Sequence, residues 1–384
     1  MKWWTWLSRR PASGSMAESH KHGILLVDKP RGLTSFGVVS RLRRLIGEKK
    51  IGHTGTLDPF AEGLLAICVG KATAAVQFMD TYDKTYQVRV LFGAATDTMD
   101  LTGTVTNSYP FATGELSRLK AAGFTPIRQA VHELPGEKLQ IPPMYSAVKV
   151  DGQPLYALAR AGQTIERQSR PIVIRQATLD AIECLDETEV GGPRLSCDLT
   201  LEVSKGTYIR VIADELGQQL GWYAHAKRLV RTTVGPFVLG QAVTLDELES
   251  RFEALAQALR KDQGLDPADR SVRRQIQDQL WQELSASGQI HDLTEALSGF
   301  PVLKLPGDLV KKIVQGQKLY LDEDQVLAQM TPEVKPQAGL RLAIHGPAGL
   351  AGMCHLELVT DRTSETFRIV TERIFIHHEH LLSE

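Results

Sequence analysis

Apolar positions recur along the chain in two rhythms, one of period two and one near 3.6, and they divide it into elements. GILLV (23–27) is a short apolar run stopped by the turn residues DKPRG, and it predicts a strand. Behind it, Thr34 or Ser35 stands where a helix is capped. Val38, Leu42, Leu45 and Ile46 follow at helical spacing, and Gly47 supplies the stop. GLLAICVG (63–70) has the unbroken apolar character of a buried strand. KTYQVRVLF (84–92) alternates, with Tyr86, Val88, Val90 and Phe92 on one face. LSCDLTLEVS (195–204) alternates more cleanly, pointing Leu195, Cys197, Leu199, Leu201 and Val203 inward. SKGTYIRVIADELG then turns from that strand into a helix expected to end at Gly217.

Between these strands, residues 134–162 are punctuated by Pro and Gly, with short helical and strand-like pieces, and read as an insertion at the rim of a sheet. Residues 250–299 are charged and helical, broken at Gly264, Pro267 and Gly288, and read as a connector. From Phe300 the rhythm changes again. A helix in LPGDLVKKIVQG precedes the strand-like LRLAIHG, LAGMCHLEL and ETFRIV, which predicts a small, mostly β domain over 300–384. Residues 1–22, with Trp3, Trp4 and Trp6 ahead of SRRPASGSM, read as a disordered tail, with Met16 an alternative start. That tail lacks the apolar core of a signal peptide.

Composition narrows the class. The chain has 384 residues, 42% hydrophobic and 23% charged, as a soluble protein of two domains would. No apolar run approaches the roughly 18 residues of a membrane span. Cys68, Cys184, Cys197 and Cys354 form no CxxC pair, which argues against structural zinc and for a reducing cytoplasm. The net charge of −1 does not advertise nucleic-acid binding. Only the stretch from Lys29 to Lys50 is locally basic, and a solvated helix face accounts for it as well as an RNA site does.

The densest chemistry lies in GHTGTLDPFAEGLL (52–65). Asp58-Pro59 by itself fits the capped start of a short helix, PFAEGL. That account leaves His53, Thr54, Gly55 and Thr56 unexplained, and polar groups are costly to bury unless something binds them. In KGTYIR (205–210), Tyr208 and Arg210 stand at a strand-to-helix junction. Arg210 is either a surface ion-pair residue or, if it faces Asp58, a fork that holds the carboxylate ionised and pulls its pKa down. Tyr86 is either a core aromatic or a ring protruding at the strand's end to stack on a base. Asp97 and Asp100 in TDTMDLTG fit a self-bonded turn better than a metal site. GKAT (70–73) lacks the glycine and hydroxyl residue of a phosphate-binding loop. HHEH (377–380) reads as solvent-facing.

GILLVDKPRGLTS, GHTGTLDPFAEGLL, KTYQVRV, TDTMDLTG, PPMYSAVKVDG and SKGTYIR stand in the order found in the TruB-type tRNA pseudouridine-55 synthases, which the chain resembles from about Gly23 to Leu248. The resemblance implies an α+β catalytic domain over 23–249 on a central, largely antiparallel sheet, with 134–162 as an inserted RNA-gripping thumb. It also implies a PUA-like RNA-binding domain in 300–384. The implied activity is conversion of uridine 55 in the TΨC stem-loop of tRNA to pseudouridine, by a monomer needing no cofactor, no metal and no protein partner. Asp58 matches the family's essential aspartate, Arg210 its paired arginine, and Tyr86 the tyrosine that stacks on the base. His53 matches the histidine that helps extrude the nucleotide, and Lys29-Pro30 the family's placed Lys-Pro pair. Leu229 matches an apolar residue lining the base pocket. With Lys29, Tyr208 and Asp100 they form the expected substrate-binding set. A non-catalytic tRNA-folding protein would not need Asp58, and a guide-RNA-dependent subunit would not be expected to carry the thumb.

Overall fold

The computed structural model of the protein describes residues 21–146, 148–150, 152–185, 194–330, 334–360 and 365–375. The expected tail and the HHEH segment therefore lie outside the described residues, apart from Lys21 and His22.

An eleven-stranded sheet dominates. Its main path runs Val243–Thr244, Gly23–Lys29, Glu62–Val69, Ala224–Val234, Lys84–Phe92, Arg194–Val203, Arg170–Leu185 and Gly136–Gln140. Pairing along it is antiparallel except where Gly23–Lys29 meets Val243–Thr244 and where Glu62–Val69 meets Ala224–Val234. Residues 136–140 are thus the edge strand of the main sheet, and the rim insertion begins beyond them.

The local signals act as expected in the helix Ser35–Ile46. Thr34 caps it by accepting from Gly37 N–H, and Gly47 closes it in left-handed geometry at φ 76°. Val38, Val39, Leu42, Leu45 and Ile46 pack on one face of the sheet, in the core that also holds Tyr86, Val88, Leu199 and Ile212. The helix Ile209–Leu220, in contrast, runs past Gly217 and ends at Gly221, which takes φ 73°. Gly217 has a different task. A Cβ there would lie 2.3 Å from Ala224 N and 2.5 Å from Tyr223 C, so its missing side chain lets the helix lie against the start of the 224–234 strand.

Residues 250–299 are largely helical, as the sequence reads, and the helices are packed into the fold. The helices Leu245–Gln263 and Arg270–Ala286 pack on each other, and Leu280, Trp281 and Leu284 enter the sheet's core. Ile290–His291 then pairs with Gly23–Lys29. Beyond it, a five-stranded sheet in the order Val302–Lys304, Arg341–Gly346, Gly349–Thr360, Glu365–Ile374, Leu319–Leu321 forms the second, mostly β unit. It docks on the other face of the large sheet. Ala343 and Met353 share a buried cluster with Ile24, Leu26, Leu64, Phe78 and Tyr82. Among the described residues no helix is long and apolar enough to cross a membrane.

Candidate active site

Residues 54–61 form the loop between the strands Ile51–His53 and Glu62–Val69, and no helix follows Pro59. Glu62 already pairs with Val230, so strand pairing overrides the local Asp-Pro signal. The loop is pinned from three sides. Ser35 Oγ accepts from Leu57 N–H at 2.9 Å and donates to Leu57 C=O at 3.1 Å. Gly32 N–H donates to Pro59 C=O at 2.6 Å. Arg231, only 1% exposed, donates through Nε to Leu64 C=O at 2.8 Å and through Nη2 to Gly55 C=O at 3.2 Å. Asp58 is thereby held forward with its side chain one-third open.

Arg210 faces it. Its Nε lies 2.9 Å from Asp58 Oδ2, a close ion pair in which the N–H is off the line of an ideal hydrogen bond. The remaining nitrogens are spoken for: Nη1 donates to Thr98 C=O at 2.7 Å, and Nη2 to Tyr145 C=O at 2.8 Å. Asp100 Oδ2 lies 3.5 Å from Nη1, and Asp100 Oδ1 accepts from Thr98 Oγ1, Thr102 N and Thr102 Oγ1. Asp100 is therefore both the self-bonded turn the sequence suggested and a second anion behind Arg210. It is buried and bonded within its turn. Met99, next to it, holds φ 59°, the left-handed geometry that brings Thr98 C=O and Asp100 to the same guanidinium.

A cavity of about 330 Å³ opens between Asp58, Tyr86, Tyr208, Arg210 and Leu229. Register explains the grouping. Tyr86 stands opposite Arg231, Leu229 opposite Val88, and Tyr208 precedes the helix that carries Arg210. A second cavity of about 600 Å³ shares the wall of Asp58 and Arg210 and is lined by His53, Phe36 and Asp100. Five of the expected residues thus converge in one cavity, and His53 and Asp100 adjoin it.

Lys29 does not belong to either cavity's lining. It is fully buried and donates from Nζ to Pro30 C=O at 3.0 Å and Leu33 C=O at 2.8 Å, so it braces the turn after the first strand instead of reaching for RNA. Of the basic stretch, Arg41 pairs with Glu249 and the exposed Arg43 bonds back to Lys49 and Ile51 carbonyls, while Arg31, Arg44, Lys49 and Lys50 are exposed as well.

Burial decides the electrostatics. It pushes the Asp58 carboxyl above its ordinary pKa, and Arg210 only partly opposes it. This reverses the sign expected from the ion pair alone, because the loop sits in a deep depression and Asp100 adds a like charge. Burial lowers Lys29 to about 8 although Asp58 pulls the other way, and it lowers Lys84, another wall of the first cavity, to about 8. His53 is lowered by burial and by Arg231, so its ring enters the wall neutral, with a buried Nδ1 that has no partner. Arg231, Lys84 and Ser35 were missed in the sequence. The signal for Arg231 was present only as a cation within the apolar rhythm of RLVRTTVG.

A carboxylate–guanidinium pair between an aromatic ring and an apolar wall, at the ends of the sheet's inner strands, makes this the candidate active site. Over 94% of this chain and 86% of the other, the structure is similar to a chain in the crystal structure of a Cbf5-Nop10-Gar1 complex, with a TM-score of 0.57 and 22% identity. Residues 43–209 match the TruB family pseudouridylate synthase (N terminal domain), and residues 210–273 the tRNA pseudouridylate synthase B C-terminal domain. The chain is 40% identical over 319 residues to the tRNA pseudouridine synthase B of Burkholderia mallei, covering 83% of this chain and 86% of that one. It is 44% identical over 230 residues to that of Geobacillus thermodenitrificans, covering 60% and 72%. The chain belongs to the TruB family of tRNA pseudouridine synthases, and its reaction is the isomerisation of a tRNA uridine. The two matched regions meet between Ile209 and Arg210, so Asp58 and its partner come from different halves of the family pattern.

Proposed function

We propose that the chain isomerises uridine 55 in the TΨC loop of tRNA, with Asp58 as the group that attacks the sugar. The observation that carries this is the Asp58–Arg210 pair, 2.9 Å apart, opening on a cavity walled by Tyr86 and Leu229. A stacked base cannot reach a recessed carboxylate, so the nucleotide is flipped out, at a cost of a few kcal/mol. Neutral His53, in the wall of the adjoining cavity, helps extrude it. The glycosidic bond then breaks, its electron pair leaves with the uracil, and positive charge develops on the sugar. Asp58 either bonds to the anomeric carbon or removes a neighbouring sugar proton. A carboxylate with a raised pKa serves both routes, because it is more basic than a free one. The ring of Tyr86 offers a face on which the freed base can turn before carbon 5 bonds to the anomeric carbon; Asp58 leaves that carbon, or returns the sugar proton, and the base loses its carbon-5 proton and takes one up at N1. Nothing is oxidised and no second reactant enters, so the reaction balances without a cofactor.

In this reading the segment after Gln140 grips the stem-loop as a thumb and residues 300–384 act as a PUA-like RNA-binding unit. The enzyme works as a monomer in the cytoplasm without a protein partner. Recognition then rests on the shape of one arm. An isolated TΨC stem-loop should therefore become pseudouridylated at position 55 by the purified protein, as mapped on the RNA after incubation. Modification at another position would refute this choice of target, and modification of intact tRNA alone would refute recognition through the one arm.

A further inference from the structure

Gln140 ends the edge strand Gly136–Gln140 and is 3% exposed. Its carboxamide makes two hydrogen bonds to the backbone of one distant residue. Tyr208 N–H donates to Oε1 at 2.7 Å, and Nε2 donates to Tyr208 C=O at 3.1 Å. A side-chain amide thus does for Tyr208 what a neighbouring strand does for the residue it pairs with. The chain needs it there. The strand Arg194–Val203 has ended, Ser204 makes a last exchange with Val173, and Gly206 turns the backbone at φ 79°. Tyr208 is then the extended N-cap of the helix Ile209–Leu220, with no capping bond from its own side chain. Two residues further on stands Arg210. Five residues after Gln140, Tyr145 C=O accepts from Arg210 Nη2 at 2.8 Å, so one segment holds the 208–210 turn at two points.

We infer that Gln140 is a positioning residue for the isomerisation, fixing the backbone at Tyr208 and thereby the place at which Arg210 holds Asp58. The inference rests on the roles proposed above for Asp58 and Arg210. Gln140 lines neither of the two cavities that open on Asp58, so it acts through the turn. The strand it ends leads directly into the proposed thumb, which makes the catalytic pair sensitive to how that segment is seated. A misplacement of about 1 Å at a reacting group costs on the order of a hundredfold in rate.

The test uses the full-length protein and an unmodified tRNA transcript, measuring Kd and the single-turnover rate at saturating RNA. Gln140→Met removes both hydrogen bonds at similar size. Gln140→Glu keeps the acceptor for Tyr208 N–H and sets a carboxylate oxygen against Tyr208 C=O. Both should leave Kd within a small factor of wild type and slow the chemical step about a hundredfold. Because the effect passes through Arg210, adding Gln140→Met to Arg210→Lys should slow that variant little further. Wild-type rates in both single variants would overturn the inference. So would a loss confined to Kd, or a full multiplication of the two defects in the double variant. If Gln140→Met melts, the nearly isosteric Gln140→Glu decides. If neither folds, Gln140 is a folding residue and the inference fails. A wild-type protein that makes no pseudouridine in the transcript would instead sink the reading of the site itself.

Discussion

Asp58 sits under opposed influences, burial and Asp100 raising its pKa while Arg210 and Lys29 lower it, with burial the largest. The catalytic roles proposed for it require the ionised form. The single-turnover rate should therefore fall as pH drops through a value above the ordinary carboxylate range. Asp58→Asn keeps the shape and loses the carboxylate that both proposed routes need, so pseudouridine formation should vanish while tRNA affinity, which phosphate contacts dominate, stays near wild type. Residual turnover close to wild type would remove Asp58 from the mechanism. Arg210→Lys keeps the charge but not the planar fork, which here serves Asp58 and the Thr98 and Tyr145 carbonyls at once. Loss of a preorganised contact of this kind is worth about 2.7–4 kcal/mol, so the chemical step should slow roughly a hundred- to thousandfold. Arg210→Ala should move the acid limb to higher pH as well, since the largest influence holding Asp58 ionised is gone. Equal acid limbs in the wild type and Arg210→Ala would contradict the pairing.

The helix Ile209–Leu220 carries Arg210, and its seat depends on one missing methyl group. Replacing Gly217 puts a Cβ against backbone atoms of Tyr223 and Ala224, which cannot swing away as a side chain can. Gly217→Ala should cost about 1–3 kcal/mol as an overpacked contact. Gly221→Ala meets nothing within 4 Å and bears only the left-handed φ, roughly 1 kcal/mol. Denaturant midpoints of the two variants should fall in that order, with Gly217→Ala also slowing turnover because the displaced helix carries Arg210. The reverse order would mean that the helix end, not its packing, limits stability.

Across the whole molecule the two sheets share a core. Phe78 is fully buried, with Phe300 and Phe375 edge-on to its ring and the Arg341 guanidinium 6.0 Å from its centroid. Tyr82 donates to Ala296 C=O at 2.8 Å, and its ring lies against Gly235 and Gly299, where a Cβ would come within 2.4 and 2.6 Å. Deleting residues 300–384 should therefore do more than remove an RNA contact. It bares a contiguous apolar face around Phe78, so the truncated protein should melt lower and bind an apolar dye that the full chain excludes. Unchanged melting and no dye binding would show the β unit to be a mere appendage.

The sequence by itself determined the elements whose cause is local. The strands at 23–29, 84–92 and 194–203 and the helix Ser35–Ile46 lie where alternation, amphipathic spacing and capping chemistry put them. The linear motifs, through the resemblance they carry, likewise named Asp58, Tyr86, Tyr208, Arg210 and Leu229 as candidates, and the fold brings these five to one cavity. What needed the tertiary structure was every choice between two uses of the same residue. Gly217 and Gly221 look equally able to stop a helix, and only packing against the 224–234 strand tells a close approach from a cap. Lys29 belongs to a basic run, but strand pairing turns it inward. Residues 250–299 read as a charged, helical connector, and Leu280, Trp281 and Leu284 have no visible partner until the sheet is assembled. Gln140 carries no local signal and Arg231 only that of a cation in an apolar rhythm, since backbone groups they satisfy lie 68 and 176 residues away. The sign of the Asp58 shift was beyond the sequence for the same reason. A neighbouring cation can be guessed from a motif, whereas the removal of water that outweighs it exists only once the chain has closed around the carboxylate.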